Sequence, residues 1–541
     1  MPKRKSSDSP KSKKAKTGPS LPSIAEIETL EEQVIESSQY NTLVTLLSHY
    51  GKSIEHLKLK ADKEAEIISR KLTVSLFKCF QKLFKDGLLV NRKHFEEKKS
   101  LIIKWLVDKY DTYKTNLFDL IQSKLSFKAS VQLDALDIVL RLVKLELEYM
   151  GNSKDGFFGN IIYSRLIKAL LLSENGEILP DGTSDDFIIL EFLDTFKANW
   201  DLQAYSVNNL SELLVEWNNI KLKEELRRVY SNFFTLMKNQ LLFNDELEEL
   251  PKWISTPLPA SAYKPNHFKG NFQRCFITIL SYPLTTSQYK ATLLVLHKRI
   301  IPYMIQPQSL MDFLTECYEI SDDSTIPILA LNSLYELMKK FNLEYPDFYT
   351  KLYSLLTPEL LYSRYRSRFF RLCDLFLTST HLSANLVASF IKKLARLSLS
   401  STASGVVIVI PFIYNLLKRH PSCMIMVHNA NPLADYQDPF INSEPNPLFT
   451  KAIGSSLWEL ESLMSHYHPN IATLAKIFGE PFRKHSYNME DFLDWSYITL
   501  LDSEKTRRYK SMAALEFEEY NKLFEGGEEA EGSVYAEGWT L

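Results

Sequence analysis

The run SLWELESLMSHYHPNIATLAKIFG, Ser456–Gly479, carries two apolar sets at helical spacing on either side of a proline. Leu457, Leu460, Leu463 and Met464 would share one face of an amphipathic helix over 455–467, which Pro469 ends. Ile471, Leu474, Ala475 and Phe478 then predict a second helix that starts after Asn470 and stops near Gly479 and Pro481. The unit is a helix pair. Upstream, VVIVIPFIYNLL (Val406–Leu417) reads as a buried helix with Pro411 near its start, against a competing strand over 406–410 where β-branched residues cluster. It falls short of the roughly 20 residues a bilayer span needs, so no membrane partner is expected.

The same pattern continues toward the N-terminus. Apolar helical text over 31–50, 60–85, 95–109, 131–149, 161–173, 186–198 and 206–219 alternates with short polar turns. Leu72, Leu76, Phe80, Leu83 and Phe84 show the typical register, as do Leu133, Leu136, Leu140, Val143 and Leu147. Helices that bury one face each and connect tightly stack as an α-solenoid. No fixed-period motif of the tetratricopeptide or ankyrin type stands out, so the predicted fold is all-α: an irregular HEAT-like helical-repeat solenoid in two parts. Three interruptions divide it. SENGEILPDGTSDD (Ser173–Asp186) reads as a surface excursion, 251–270 with four prolines as a linker, and 429–447 as a long loop suited to partner contact. The expected organisation is a disordered basic tail over 1–22, a helical-repeat domain over 23–250, the linker over 251–270, a second helical domain over 271–525 and an acidic flexible tail over 526–541.

A chain of 541 residues with 45% apolar and 12% aromatic residues can hold two to four large cores, and 16 glycines with 23 prolines agree with helix throughout. Five cysteines, Cys79, Cys275, Cys317, Cys373 and Cys423, show no CxxC spacing, which predicts reduced, core-filling thiols in an intracellular protein. The first twenty residues hold Lys3, Arg4, Lys5, Lys11, Lys13, Lys14 and Lys16 against the single acid Asp8. Two basic clusters around a Ser/Pro spacer read as a nuclear-import signal, with a nucleic-acid arm or a solvated tail as the other uses. Sixty-four basic against 66 acidic residues give a net charge of −2, so overall electrostatics do not require nucleic acid.

Motifs of catalysis are missing from the text. There is no Gly-rich phosphate loop, no GxSxG and no zinc spacing. His466 and His468 flank Tyr467, but residues two apart diverge on a helix, so helix-end polar contacts suit them better than a metal. Asp322 with Asp323, and Glu518 with Glu519, read as exposed or capping acids. Neither enzyme activity, cofactor, metal nor small-molecule substrate is expected. In TPELLYSRYRSRFFRLCDLF (Thr357–Phe376), Arg364, Arg366, Arg368 and Arg371 interleave with aromatics. Arginines of this kind pair phosphates and stack on bases, so RNA or an acidic partner could dock there, although Phe369, Leu372, Cys373 and Phe376 form a core stripe and a merely solvated basic face explains the rest.

Together, SLWELESLMSHYHPNIATLAKIF, the preceding IPFIYNLLKRHPSCMIMVH (Ile410–His428) and the entry NPLFTKAIGSSLWEL (Asn446–Leu460) resemble the signature of the CCAAT-binding-factor domain family of nucleolar ribosome-assembly proteins. The resemblance spans about 277–494, and the length suits the family's small-subunit branch. It implies that Val406–Leu417 is helical. It also implies that Asn446, Pro447, Ser456, Leu457, Trp458, Glu459, Leu460, His466, Tyr467, His468, Pro469 and Phe478 are signature positions. It further implies a non-enzymatic nucleolar assembly factor in small-subunit biogenesis, acting in pre-rRNA processing and in maturation and export of the small-subunit precursor, and paired with a partner of the nucleolar protein fourteen type. Trp458, His466, His468, Trp495 and Tyr497 are the candidate partner surface. Sequence-specific DNA reading is weakly supported, because neither a helix-turn-helix nor a basic zipper is present. A nuclear transport receptor, also an irregular solenoid, and an RNA-binding solenoid acting through Arg364–Arg371 are the competing readings.

Overall fold

The computed structural model describes residues 21–60, 62–89, 97–125, 130–150, 158–220, 222–239, 241–242, 250–255, 258–259, 262–320, 323–341, 347–428 and 436–508. The basic clusters of the first twenty residues, Asp322, Glu518, Glu519 and the acidic segment 526–541 lie outside the described residues.

Helices account for almost all the order. The N-terminal ones are α1 (Ile24–Ile35), α2 (Thr42–Leu59), α3 (Lys63–Lys85), α4 (Glu97–Gln122), α5 (Ser130–Met150), α6 (Asn160–Leu171), α7 (Phe187–Ala198), α8 (Trp200–Ile220) and α9 (Lys223–Met237). The predicted helix over 31–50 is in fact two. The polar run SSQYN breaks it, and Ser38 turns the chain at φ 53°. Asp62 and Asp186, read as helical from their apolar neighbours, are instead N-caps whose carboxylates accept from Glu64 N and Ile188 N. α1, α3, α5, α7 and α9 pack side by side in one layer, and α2, α4, α6 and α8 form the other. This is the two-layer stack of a helical-repeat array.

The array does not stop at the predicted linker. α10 (Pro265–Leu280) lies along α8, where Tyr282 Oη donates to Leu214 O at 2.7 Å and Asn271 Nδ2 to Asn208 Oδ1 at 2.8 Å. α11 (Thr286–Val295) continues the α9 layer, with Gln288 Nε2 donating to Arg227 O at 2.8 Å and Ser231 Oγ at 2.9 Å. The stretch between is tied down by the buried carboxylate of Asp201, which accepts from Trp253 N and Ile254 N at 3.0 Å. α12 (Met311–Glu319), α13 (Thr325–Phe341), α14 (Phe348–Ser354) and α15 (Arg366–Phe376) follow, and α13 packs on α11, α12 and α15. α16 (Ala384–Leu399) and α17 (Ala403–Arg419) close the body as an antiparallel pair. α17 is the apolar run predicted as helix, but Pro411 sits in its middle because the helix begins earlier, at the Thr402 cap that accepts from Gly405 N.

Loop 173–186 is only partly a surface excursion. Ser173, Thr183, Ser184 and Asp186 are buried, Asn232 Nδ2 donates to Leu171 O at 2.9 Å, and Ser184 N donates to Thr235 Oγ1 at 2.9 Å. Gly182 adopts φ +75° against α11, where a Cβ would meet Ala291 Cβ at 3.0 Å and Gln288 Cα at 3.1 Å. Gly182→Val is therefore expected to destabilise the α9/α11 junction by about 2 kcal/mol or more, from left-handed strain plus a backbone clash. A lowered thermal midpoint with faster amide exchange in α9 and α11 would check it.

All five cysteines are buried and free. Burial pushes the Cys79 and Cys317 thiols up to about 12 and Cys423 to about 11, so they remain protonated core filler. Among the described residues no helix is long and apolar enough to cross a membrane.

Candidate interaction surface

The signature is a lock built on α16. Ser389, Lys392 and Arg396 recur at helical spacing, and the first two are completely buried, so a polar stripe runs through an otherwise apolar interface. Ser389 Oγ donates to Pro447 O and meets Thr450 Oγ1. Lys392 Nζ donates to Ser456 O at 2.6 Å. The carboxylate of Glu459, itself fully buried, lies 2.7 Å from both Lys392 Nζ and Arg396 Nε, held as an ion pair more than by linear hydrogen bonds. Asp438 approaches the same two cations at 3.7 and 3.3 Å. The cations also lie over the Trp458 ring, at 5.6 Å for Lys392 and 5.1 Å for Arg396.

This lock reshapes the predicted helix pair. In place of a helix over 455–467 there are α18 (Trp458–Ser462), a 3-10 turn over Leu463–Ser465, and extended backbone at His466. Ser455 is extended (ψ 161°) and Leu457 lies outside the helical region (ψ 49°), where Leu457 N donates to Met426 O at 2.9 Å and Ser456 O accepts from Lys392, so the helix starts only at Trp458. The second helix, α19 (Pro469–Ala475), is capped by His468, whose Nδ1 accepts from Asn470 N at 3.2 Å, and Pro469 occupies its first position. His466 Nδ1 accepts from His468 N at 3.0 Å, and burial holds its imidazole below the ordinary histidine value. Both histidines therefore make the helix-end contacts that their spacing predicted. No group of three metal-ligating side chains occurs among the described residues.

A second set of contacts bolts down residues 490–495, which comprise α20 (Glu490–Leu493) and the start of the link to α21 (Tyr497–Thr506). Arg366 Nη2 donates to Trp495 O at 2.6 Å and Ser367 Oγ to Leu493 O at 2.7 Å. Arg371 pairs bidentately with Glu490 at 2.8 and 2.7 Å, which draws the Glu490 carboxyl below its usual range. Arg366 and Arg371 are thus engaged inside the chain. Arg368 is half-buried with its Nη1 enclosed, and Arg364 is exposed ahead of α15.

What the lock leaves outside is aromatic and apolar. Trp458 remains 41% exposed at the rim of a groove of about 360 Å³ that Met426, Leu457, Met464 and Phe478 line. Tyr467 projects from the stiff histidine turn. Trp495 is half-buried and donates Nε1 to Asp491 O at 2.8 Å. On α21, Leu500 turns inward while Tyr497, Ile498 and Leu501 stand 56%, 72% and 61% exposed on the outer face. Lys392, Arg396, Asp438 and Glu459 were not singled out from sequence as a set. The available signal was Lys392, in phase with the buried Ala388 and Ala395.

A two-layer helical array with a locked signature and an apolar outer face belongs to the class of interaction scaffolds. The CBF/Mak21 family profile matches residues 327–475, from α13 to the end of α19, and a profile described as Nucleolar complex protein 4-like, TPR repeats, matches residues 18–219. The latter assigns a repeat type where no repeat period was legible. Nucleolar complex protein 4 of Saccharomyces cerevisiae is 42% identical over 95% of this chain and 99% of its own length. The homologue from Gallus gallus is 34% identical over 78% of the chain and 81% of its length, and that from Homo sapiens 32% over 71% and 73%. The chain belongs to the CBF/Mak21 family, in its nucleolar complex protein 4 branch, and is a nucleolar factor of ribosome biogenesis.

Proposed function

We propose that the chain is a non-enzymatic scaffold that forms a heterodimer with a nucleolar protein of the fourteen type and acts in maturation of the small-subunit precursor. The observation that supports this reading is the outer face of α21, where Tyr497, Ile498 and Leu501 stand exposed just after residues 490–495, which Arg366, Ser367 and Arg371 tie to α15, while Asn470 Nδ2 donates to Ser503 Oγ on α21 itself at 3.2 Å. A preorganised apolar face loses little entropy on docking, which favours a stable protein partner. Trp458 and its groove supply a second anchor, and the basic clusters Lys3–Lys5 and Lys11–Lys16 serve nuclear import.

The test is affinity purification of a tagged copy at moderate salt. Small-subunit precursor RNA with one stoichiometric nucleolar partner is the expected recovery. Transport factors without pre-ribosomal RNA would overturn the proposal.

A further inference from the structure

We infer that Arg483, Lys484 and His485 form a direct RNA-backbone contact, separate from the partner surface. The inference rests on the proposed work inside a pre-ribosomal particle, but its evidence is local. Loop 480–488 has no helix or strand, yet it is fixed from beneath by two neighbours in α17. Tyr414 Oη donates to Lys484 O at 2.8 Å. Asn415, buried in α17, uses both ends of its amide on one residue, donating to Tyr487 O at 2.8 Å and accepting from Tyr487 N at 2.7 Å.

Phe482 and Tyr487 close against Tyr414 with ring centroids 4.6 and 4.9 Å away. A buried amide is costly unless fully bonded, so these contacts specify one loop shape and do more than fill space.

That shape turns every large apolar side chain of the loop inward and three consecutive basic ones outward. Arg483, Lys484 and His485 are all exposed, and none makes an ion pair with another described residue. Lys484 Nζ is poised 4.3 Å over the Tyr487 ring. Lys476 adds an exposed cation nearby in the chain, and Glu480 is the acid at the loop's start. A protein interface needs an apolar or aromatic anchor at its centre, and Lys is depleted there. The exposed cations of this loop, with its aromatics packed on Tyr414, offer chiefly charge, which is what a phosphodiester backbone requires.

The experiment uses the full chain and a labelled single-stranded oligo(U), titrated across a range of salt. Each phosphate contact contributes about −0.7 to the slope of log K against log salt for single strands. Arg483→Gln with Lys484→Gln is expected to weaken binding and make that slope shallower by about 1.4, with the unfolding midpoint unchanged. Asn415→Leu keeps the three cations but releases the loop, so it should weaken binding with little change of slope. Arg364→Gln should do neither. No RNA binding by the parent chain, an unchanged slope in the double variant, or loss of the protein partner with RNA affinity intact would each overturn the inference. Partner and precursor RNA still co-purifying in those cases would leave the scaffold reading standing.

Discussion

Replacing Glu459 by Ala is expected to cost about 3 kcal/mol, because it leaves the buried Lys392 with only the more distant Asp438, at 3.7 Å, as counter-charge. The size follows from burial. Lys392 and Glu459 have no exposed side-chain surface and lie 2.7 Å apart, so neither can recover hydration when the other is removed. Arg396 behaves differently. At 38% side-chain exposure it can turn to water, and Arg396→Ala should cost far less. The mechanism has a signature of its own. Lys392→Met combined with Glu459→Leu should recover most of the loss, since two apolar groups of similar volume remove both charges together. Hydrogen exchange provides the readout: Glu459→Ala should lose protection in α16 and in 447–465, while α1–α9 stay protected. Equal, small losses for the single and double variants would show that the charges are not coupled.

The second large effect concerns binding and not folding. Tyr497→Ala, Ile498→Ser and Leu501→Ala together are expected to weaken the nucleolar partner by about 3 kcal/mol, roughly a hundredfold. Leu500, the buried residue of the same helix, is left in place, and Arg366 with Ser367 still hold the backbone at Trp495 and Leu493. Stability should therefore hardly change. Partner retention measured by stoichiometry after purification separates the outcomes. A triple variant that keeps its partner would move the interface elsewhere, with the Trp458 groove as the next surface to alter.

Much of the array was legible because amphipathic spacing is local. The register of α3 identified its buried face, while that of α5 fell at the face's edge, with Leu133, Leu140 and Leu147 half-buried and Val131, Ala135, Ile138 and Leu142 in the core; the apolar segments became helices, 31–50 as parts of two. What failed did so where the chain meets residues far away in sequence. The 455–467 helix shrank to α18: residues 455–457 leave the helical conformation where they meet Lys392 and Met426, and the helix ends in the 3-10 turn before the extended His466. The same holds for the proline-rich stretch 251–270. Its composition spoke for a linker, but Asp201 organises part of it and α8 packs on α10 across it. The signature residues were recognisable as a group, whereas their division into lock and surface was not. Trp458 belongs to both, stacked on cations on one side and exposed on the other. Arg366 and Arg371 looked like ligand-binding groups in sequence, and only the fold shows their partners Trp495 and Glu490.

Hydrogen exchange of the full chain, alone and with its co-purified nucleolar partner, tests the central claim most directly. New protection confined to α21 and the rim around Trp458, with α16 and α17 already protected in the free chain, is the result predicted for a prebuilt lock that presents a docking face. Protection appearing instead along α1–α9 with α21 unchanged, or a free chain whose α16 and 447–465 exchange freely until the partner binds, would contradict it.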